Sequence, residues 1–410
     1  MVWVHQEFLE AYLKMNKKIL VLGAGSFQKS FVFTAIKRGY KVLLFDKVQP
    51  NWLPDFEEID FYNIDISDVD LCTQYSKQLE FVGVVSPYND AGILSAAHIA
   101  VKNSLPGPGL VPAKLSRDKF QFRRFLQSHG FNSPNCLAIK NETDINDLVS
   151  NFLFPAVIKP NDGSGSRGVF YIESLSDFNS RYLQTKGFSK NQEVLIESFI
   201  KGDEFSAECL IQDGNFTLIG FCKKNRSSLP RLLDVSLVFP YYFEQKLHEK
   251  IIGELSRLVK LLKVQTSFMH VEFIMSEENL YIVEYGVRGA AFDVYTKLIS
   301  WSYGIDFNVV LLDLVLGKQI KLPEIDKFKV AALVFPEPIT LGVLQEISHK
   351  TGMYKYENTQ VEVQNLMEIG DKIALVENGS MRVSALFYYA FTNSDLNNAI
   401  NSFNFNIRVE

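Results

Sequence analysis

Phe268-Met269-His270-Val271-Glu272-Phe273-Ile274-Met275-Ser276-Glu277-Glu278-Asn279-Leu280-Tyr281-Ile282-Val283-Glu284-Tyr285 is the stretch whose reading decides the fold. Two alternating runs, 268–275 and 280–285, flank the polar residues 276–279, which predicts a β-hairpin centred near residue 278. In that register Glu272 and Glu284 stand directly opposite on one face, with Cβ atoms about 5 Å apart. Carboxylates so placed repel each other unless something cationic lies between them. Paired hard oxygens suit Mg²⁺, which is commonly held by one or two carboxylates plus phosphate oxygens. An exposed sheet face with a shared proton or a nearby lysine is the competing account. The same register sets His270 opposite Gly286, leaving space in front of the imidazole. His270 is then a third metal ligand, a holder of metal-bound water through its ring N–H, or a packing residue.

Upstream lies a glycine run, Lys159-Pro160-Asn161-Asp162-Gly163-Ser164-Gly165-Ser166-Arg167-Gly168-Val169, between the apolar strand PAVI and the strand VFYI. A hairpin loop of this composition directs backbone N–H groups and hydroxyls toward phosphate oxygens, with Lys159 as a point charge beside it. An ordinary solvent-exposed hairpin is the alternative. Farther along are short strands, EVLIESFI and FSAECLI, and an amphipathic helix at Gln245–Leu262. The tail after Lys321 alternates short strands with turns and ends in a helix at Ser394–Phe403.

The N-terminal part reads as strand (ILVLG), glycine turn, helix to about Arg38, strand (KVLLFD), then a third strand at Phe81–Ser86, the pattern of a parallel Rossmann-like sheet. Its turn, Gly23-Ala24-Gly25-Ser26-Phe27-Gln28-Lys29-Ser30, is neither a dinucleotide fingerprint nor a P-loop, because Gln28 stands where each needs glycine. The cluster Leu105-Pro106-Gly107-Pro108-Gly109 marks the first boundary, before a helix expected over Ser116–His129.

Composition narrows the class. With 410 residues, 47% hydrophobic, the chain can bury one large core or two to three smaller ones. Net charge is −5 without long blocks of one sign, so neither nucleic acid nor an anionic membrane is an expected partner. The cysteines, Cys72, Cys136, Cys209 and Cys222, form no CxxC pair, which suits a reducing, cytoplasmic setting. No signal peptide or membrane span is expected. Phe8, Leu9, Tyr12 and Leu13 would share one helical face as a short docking helix; equally, Met15 would serve as the natural start.

Taken together, these motifs resemble the ATP-grasp superfamily from about Lys17 onward, and within it the carboxylate–amine ligases, especially the L-amino acid ligases. Seven polar positions fall in order at family spacing. The resemblance implies an α/β chain, α+β in the nucleotide-binding part. It divides into an N-terminal extension and Rossmann-like domain (1–112), an ATP-grasp domain (113–320, with a glycine-rich lid at about 140–200) and a small α+β C-terminal domain (321–410). The family's DK-containing helix is matched by Asp118-Lys119 with Arg123-Arg124 and Gly130 to Pro134, so Lys119 would touch ATP phosphate. Lys159 is the strand lysine, and Gly163, Ser164, Gly165, Ser166 and Gly168 form the phosphate loop. The family's E-x-F-I-x-G-x-E segment is matched by Glu197-Ser198-Phe199-Ile200-Lys201-Gly202-Asp203-Glu204. By that match Glu197, Phe199 and Ile200 surround the adenine and Glu204 holds the ribose. The metal carboxylates map onto Glu272 and Glu284, and Arg288 completes an E-x-x-x-R pattern. Gly286 departs from relatives that place a ligating asparagine there. Gly370-Asp371 and Arg382-Val383 match the C-terminal domain.

The implied chemistry is transfer of the ATP γ-phosphoryl group to a carboxylate, with Mg²⁺ (or Mn²⁺), Lys119 and Lys159 neutralising charge. An amine then attacks the acyl phosphate, and Arg288 is the candidate to stabilise the oxyanion. Its competing role is a surface ion pair with a nearby acid. Expected partners are a small carboxylate and an amine, amino acids among them, with a homodimer as the assembly considered. A bicarbonate-dependent carboxylase, a non-catalytic ATP-binding protein and a nicotinamide dehydrogenase are the other functions weighed.

Overall fold

Apolar runs closed by turns become the parallel strands of the N-terminal sheet, ordered Ile59–Asn63, Lys41–Asp46, Lys18–Leu22, Gly83–Val85. The computed structural model describes residues 17–53, 56–140, 149, 152–326, 328–338, 340–374 and 379–410, so the segment containing Phe8 to Leu13 lies outside the described residues. Alternate residues of each strand serve opposite faces, which is why the strands read as continuous hydrophobic runs. Ile19, Val21, Val42 and Leu44 pack with Phe31, Val32 and Ala35 of the helix Ser26–Lys37. Leu20, Leu22, Leu43 and Phe45 pack with Ala96, Ile99 and Ala100 of the helix Ile93–Lys102. The strand expected at 81–86 shortens to Gly83–Val85. The polar, partly exposed edge strand Ile59–Asn63 has no apolar run to announce it.

A nine-stranded antiparallel sheet forms the centre. Its order is Asn279–Gly286, Ser267–Ser276, Asp203–Gln212, Asn215–Arg226, Asp234–Tyr241, Val330–Val334, Ser384–Ala390, Thr359–Asn365, Gly352–Tyr356. The last four strands belong to the tail, so hydrogen bonding runs unbroken past residue 320, where Asp234–Tyr241 pairs with Val330–Val334. Two of the strands are longer than the short segments expected. Asp203–Gln212 and Asn215–Arg226 meet at Asp213-Gly214, both with positive φ, the conformation a two-residue hairpin turn favours. The helix Gln245–Leu262 forms as read. Ile251, Leu255, Leu258, Val259 and Leu262 make its buried stripe, packed with Phe205, Phe221 and Phe273 of the sheet.

The decisive hairpin has the expected pairing at its functional end: Glu272 opposite Glu284, and His270 opposite Gly286. Its tip differs from the expectation. Ser276 pairs with Asn279 around a two-residue loop, Glu277-Glu278, and the register shifts between Glu272 and Phe273. Val283 is the extra residue on its strand, a β-bulge that reconciles a tight loop with the facing glutamates.

Two smaller elements complete the cleft. A four-stranded sheet, Cys136–Ile139, Val194–Ser198, Ala156–Pro160, Phe170–Ile172, carries the glycine run as the loop between its last two strands. The helix expected at Ser116–His129 runs over Lys119–Ser128, starting later because the Asp118 side chain accepts from the Gln121 N–H and caps it, and a short helix not expected from the sequence, Leu110–Leu115, precedes it. Among the described residues all four cysteines are free thiols, and no single helix is long and apolar enough to cross a membrane.

Gly202 connects the sheets at a point of close approach, where an added Cβ would overlap the Met275 carbonyl and press on Ile274. Backbone atoms cannot rotate aside, so Gly202→Ala is expected to destabilise the protein by roughly 1–3 kcal/mol. A urea midpoint equal to wild type would refute this packing argument.

Candidate active site

Lys119 and Arg123, one helical turn apart, face the cleft together. Lys119 Nζ donates to the Gly163 carbonyl at 2.6 Å and lies 3.3 Å from Glu284 Oε1, so it links the glycine loop to the carboxylate pair. Arg123 lies within 2.9 Å of Glu197 and also donates to the carbonyl of Val283, the bulge residue. Lys159 Nζ completes the group at 2.7 Å from Glu197. Burial alone would raise the Glu197 pKa, but Arg123 and Lys159 outweigh it and hold the carboxyl below its usual range. Burial pulls the Lys159 ammonium below its ordinary value, with Glu197 opposing. The Glu197 carboxylate is therefore committed to two cations.

Glu272 and Glu284 are not left to repel each other. Glu272 Oε1 takes Lys224 at 2.9 Å and His270 Nε2 at 3.1 Å. His270 Nδ1 is 2.7 Å from Glu208, whose side chain is fully buried. Burial disfavours the imidazolium, but Glu208 and Glu272 overcome this and raise the His270 pKa to about 9. His270 is thus a charged link between two glutamates, with neither ring nitrogen available as a metal ligand. The space at Gly286 is also filled otherwise: an added Cβ there would meet the Arg288 side chain at 3.3 Å.

Arg288 makes a bidentate pair with Asp90, Nε–Oδ1 2.7 Å and Nη2–Oδ2 2.8 Å, and donates to the Gly289 carbonyl. Its side chain is 13% exposed, so this is a cleft pair joining the N-terminal sheet to the central one, not the surface pair weighed above. Burial works against the Asp90 carboxylate, yet Arg288 holds its pKa down to about 2.

Glu204 pairs with Lys224 (3.2 Å) and Arg226 (2.8 Å), and both cations also reach Asp234. Lys224, Arg226, Asp234, Asp90 and Glu208 have no counterpart in the sequence reading. Lys224 and Arg226 alternate along one strand and so share a face, but only the register Lys224↔Glu204 shows which acid they meet.

These side chains border two cavities. One, of about 320 Å³, is lined by Lys119, Lys159, the glycine loop, Glu197, Phe199, Ile200 and Glu204. The other, about 610 Å³, is lined by Asp90, Arg288, Phe335 and Arg382 among others. They share the loop residues Gly163–Arg167, Arg226, Glu272 and Glu284 as a common wall. Gly168 borders neither; its Cβ position is closed by Phe188, and its φ of +70° favours glycine. Among the described residues no cluster of three or more metal-type side chains occurs. The two glutamates nevertheless fit Mg²⁺ supplemented by water and phosphate, since their side chains are 25% and 33% exposed and only their Oε1 atoms are paired.

Known proteins share this architecture. Residues 152–295 match the ATP-grasp domain family. The chain is 19% identical over 320 residues to the carbamoyl phosphate synthase large chain of Clostridium acetobutylicum, a match covering 75% of this chain and 30% of that protein. In three dimensions it resembles the L-amino acid ligase from Bacillus licheniformis, with a TM-score of 0.78 at 18% identity, covering 97% of this chain and 100% of the other. Phosphoribosylglycinamide synthetase from Anaerococcus prevotii gives 0.71 at 21% identity, covering 96% and 100%. The chain as a whole has the ATP-grasp fold.

The Asp90–Arg288 pair has a pH signature. A carboxyl held at about 2 contributes stability that is present above the ordinary carboxylate pKa and is lost as pH falls through about 2. The contribution is on the order of 2 kcal/mol. The stability difference between wild type and Asp90→Asn should therefore be full at pH 7 and shrink steadily below pH 4, as read by denaturant titration. A difference independent of pH would remove the pair's electrostatic role.

Proposed function

We propose that the protein is an ATP-dependent carboxylate–amine ligase that forms an acyl phosphate and releases ADP and phosphate. The observation that supports this most is the common wall of the two cavities. A phosphoryl group at Glu272 and Glu284 borders both the nucleotide-sized cavity and the one reached by Arg288.

In this reading, residues 1–112, 113–320 and 321–410 act as N-terminal, ATP-grasp and C-terminal domains. The backbone at 198–200, with Phe199 and Ile200, receives the adenine, and Glu204, steadied by Arg226 and Lys224, faces the ribose. The loop residues Gly163, Ser164, Gly165 and Ser166 close over the phosphates and exclude water, with Gly168, outside both cavities, serving the turn at the end of the loop. Lys119 and Lys159 supply positive charge at the phosphates. Glu272 and Glu284 would hold Mg²⁺ or Mn²⁺, which when bound supplies charge neutralisation on phosphate oxygens. The bond between the γ-phosphorus and ADP breaks as the substrate carboxylate oxygen bonds to phosphorus. The amine lone pair then attacks the acyl carbon, phosphate departs with the C–O electron pair, and the amine loses a proton. Arg288, held flat by Asp90, sits to stabilise the oxyanion. Amino acids are the substrates favoured, and the cytoplasm the expected compartment.

Glu284→Gln is expected to lower acid- and amine-dependent ADP release about a hundredfold or more with the fold retained, since losing one carboxylate forfeits several kcal/mol of charge placement. Near-normal turnover at ordinary Mg²⁺ would overturn the assignment, and turnover that requires bicarbonate would instead indicate a carboxylase.

Lys159→Ala should weaken ATP binding about tenfold or more. Gly25→Ala should leave it nearly unchanged, because an added Cβ there meets only the Gln28 side chain and Gly25 lines neither of the two cavities. The opposite ranking in ATP titrations would move the nucleotide to the N-terminal sheet.

A further inference from the structure

Arg382 is a buried cation that no anion among the described residues pairs with. It is 7% exposed and lines the larger cavity. Its guanidinium lies flat on Phe335, 3.4 Å from the ring centroid, with Phe292 at 5.7 Å on the same cavity wall. Among the described residues no hydrogen bond or ion pair reaches it, and its buried Nε has no acceptor. The acids that act on it electrostatically, Asp234 and Glu337, are engaged elsewhere. Asp234 is taken by Lys224 and Arg226, and Glu337 by both terminal nitrogens of Arg231 at 3.1 and 2.9 Å. Burial pulls the Arg382 pKa down to about 10, which still leaves a cation at neutral pH.

We propose that Arg382 anchors a second, non-reacting carboxylate of a small-molecule substrate. The ring beneath fixes the guanidinium plane and leaves its edge as a two-pronged donor, the geometry a carboxylate matches. One uncompensated charge calls for a monoanion, whereas a phosphate dianion ordinarily gathers further cations, and the neighbouring Lys224 and Arg226 are already paired. The surroundings of the two arginines separate the binding group from the reacting one. Arg288 feels Glu284 and Glu272, where phosphoryl transfer is placed, while Arg382 feels Asp234, Glu337 and Arg226. Seven Lys and Arg residues against five Asp and Glu line the cavity among the described residues, a balance that favours an anionic guest. The cover is also in place: three residues before Arg382, the Gly379 N–H donates to the Gly165 carbonyl of the glycine loop. The substrate class is thereby an amino acid or dicarboxylic acid. This deepens the ligase reading and rests on it for the identity of the reacting group.

The test is calorimetric titration of the full chain, with Mg²⁺ and a non-hydrolysable ATP analogue, against free amino acids and dicarboxylic acids and their monoamides. At least one acid should bind, and its amide about tenfold or more weakly. Arg382→Met should reduce the affinity for that acid to the amide level without changing nucleotide affinity, and Arg382→Lys should regain part of it. Phe335→Leu keeps the charge but removes the ring beneath it, and should fall between; it also serves if Arg382→Met fails to fold. Equal binding of acid and amide, equal affinity of wild type and Arg382→Met, or no acid bound at all overturns the proposal. Binding of phosphorylated compounds alone through Arg382 overturns the carboxylate in favour of phosphate. None of these titrations requires turnover. Failure of the ligase reading would appear separately, as no ADP release with an acid and amine present.

Discussion

Glu272 and Glu284 face each other across adjacent strands, and two carboxylates so close can be kept ionised only by cations brought to them. Each arrives from a different part of the chain. Lys224 comes from two strands away, His270 from the same strand, and Lys119 from a helix that precedes the sheet. His270 in turn needs Glu208, and Lys224 is shared with Glu204 and Asp234. Removing one member strands a charge in the interior, where an unpaired ion costs several kcal/mol. The pair therefore fixes more than its own charge state. It dictates which side chains must point into the cleft from the central sheet.

The same constraint explains the β-bulge. A two-residue loop at Glu277-Glu278 would set the glutamates out of register if the hairpin were regular. One extra residue, Val283, restores the facing arrangement, and its carbonyl becomes an acceptor for Arg123. Arg123 thereby ties the hairpin to Glu197 and Lys159 in the smaller sheet. A local irregularity in one strand thus holds together the two sheets that border the nucleotide-sized cavity.

How much of this was legible follows from sequence distance. The facing glutamates, the helix Gln245–Leu262 and the glycine loop depend on periodicity and turn chemistry within about twenty residues, and they are where the sequence placed them. The bulge was not legible, because alternation is unchanged to either side of it. The start of the helix at Lys119 is displaced from the expected Ser116 for a related reason: Asp118 looks like a helix residue until its side chain is seen to cap. His270 was open between three roles because its partner Glu208 lies 62 positions away. The same holds for Asp90, 198 positions from Arg288.

That distance rule separates the two cavities. The nucleotide-sized one is lined largely by residues 119 to 284, within one continuous block of motifs. The larger one draws Tyr88, Asn89 and Asp90 from the N-terminal sheet, Arg288 to Val294 from the segment after the hairpin, and Phe335, Leu366, Gly379 and Arg382 from the tail. Arg288 and Arg382 are marked by short motifs, but no local pattern shows what they meet, because each finds its neighbours only after three parts of the chain have packed. The lining of the smaller cavity is thus readable from short motifs, whereas that of the larger one resides in contacts that only the assembled fold creates. Since hydrogen bonding in the central sheet is continuous through Val330–Val334, the tail residues are held rigidly to the strand bearing Lys224 and Arg226 by way of Asp234–Tyr241. Variation in the tail can therefore reshape its end of the larger cavity while the carboxylate pair and its cations stay fixed.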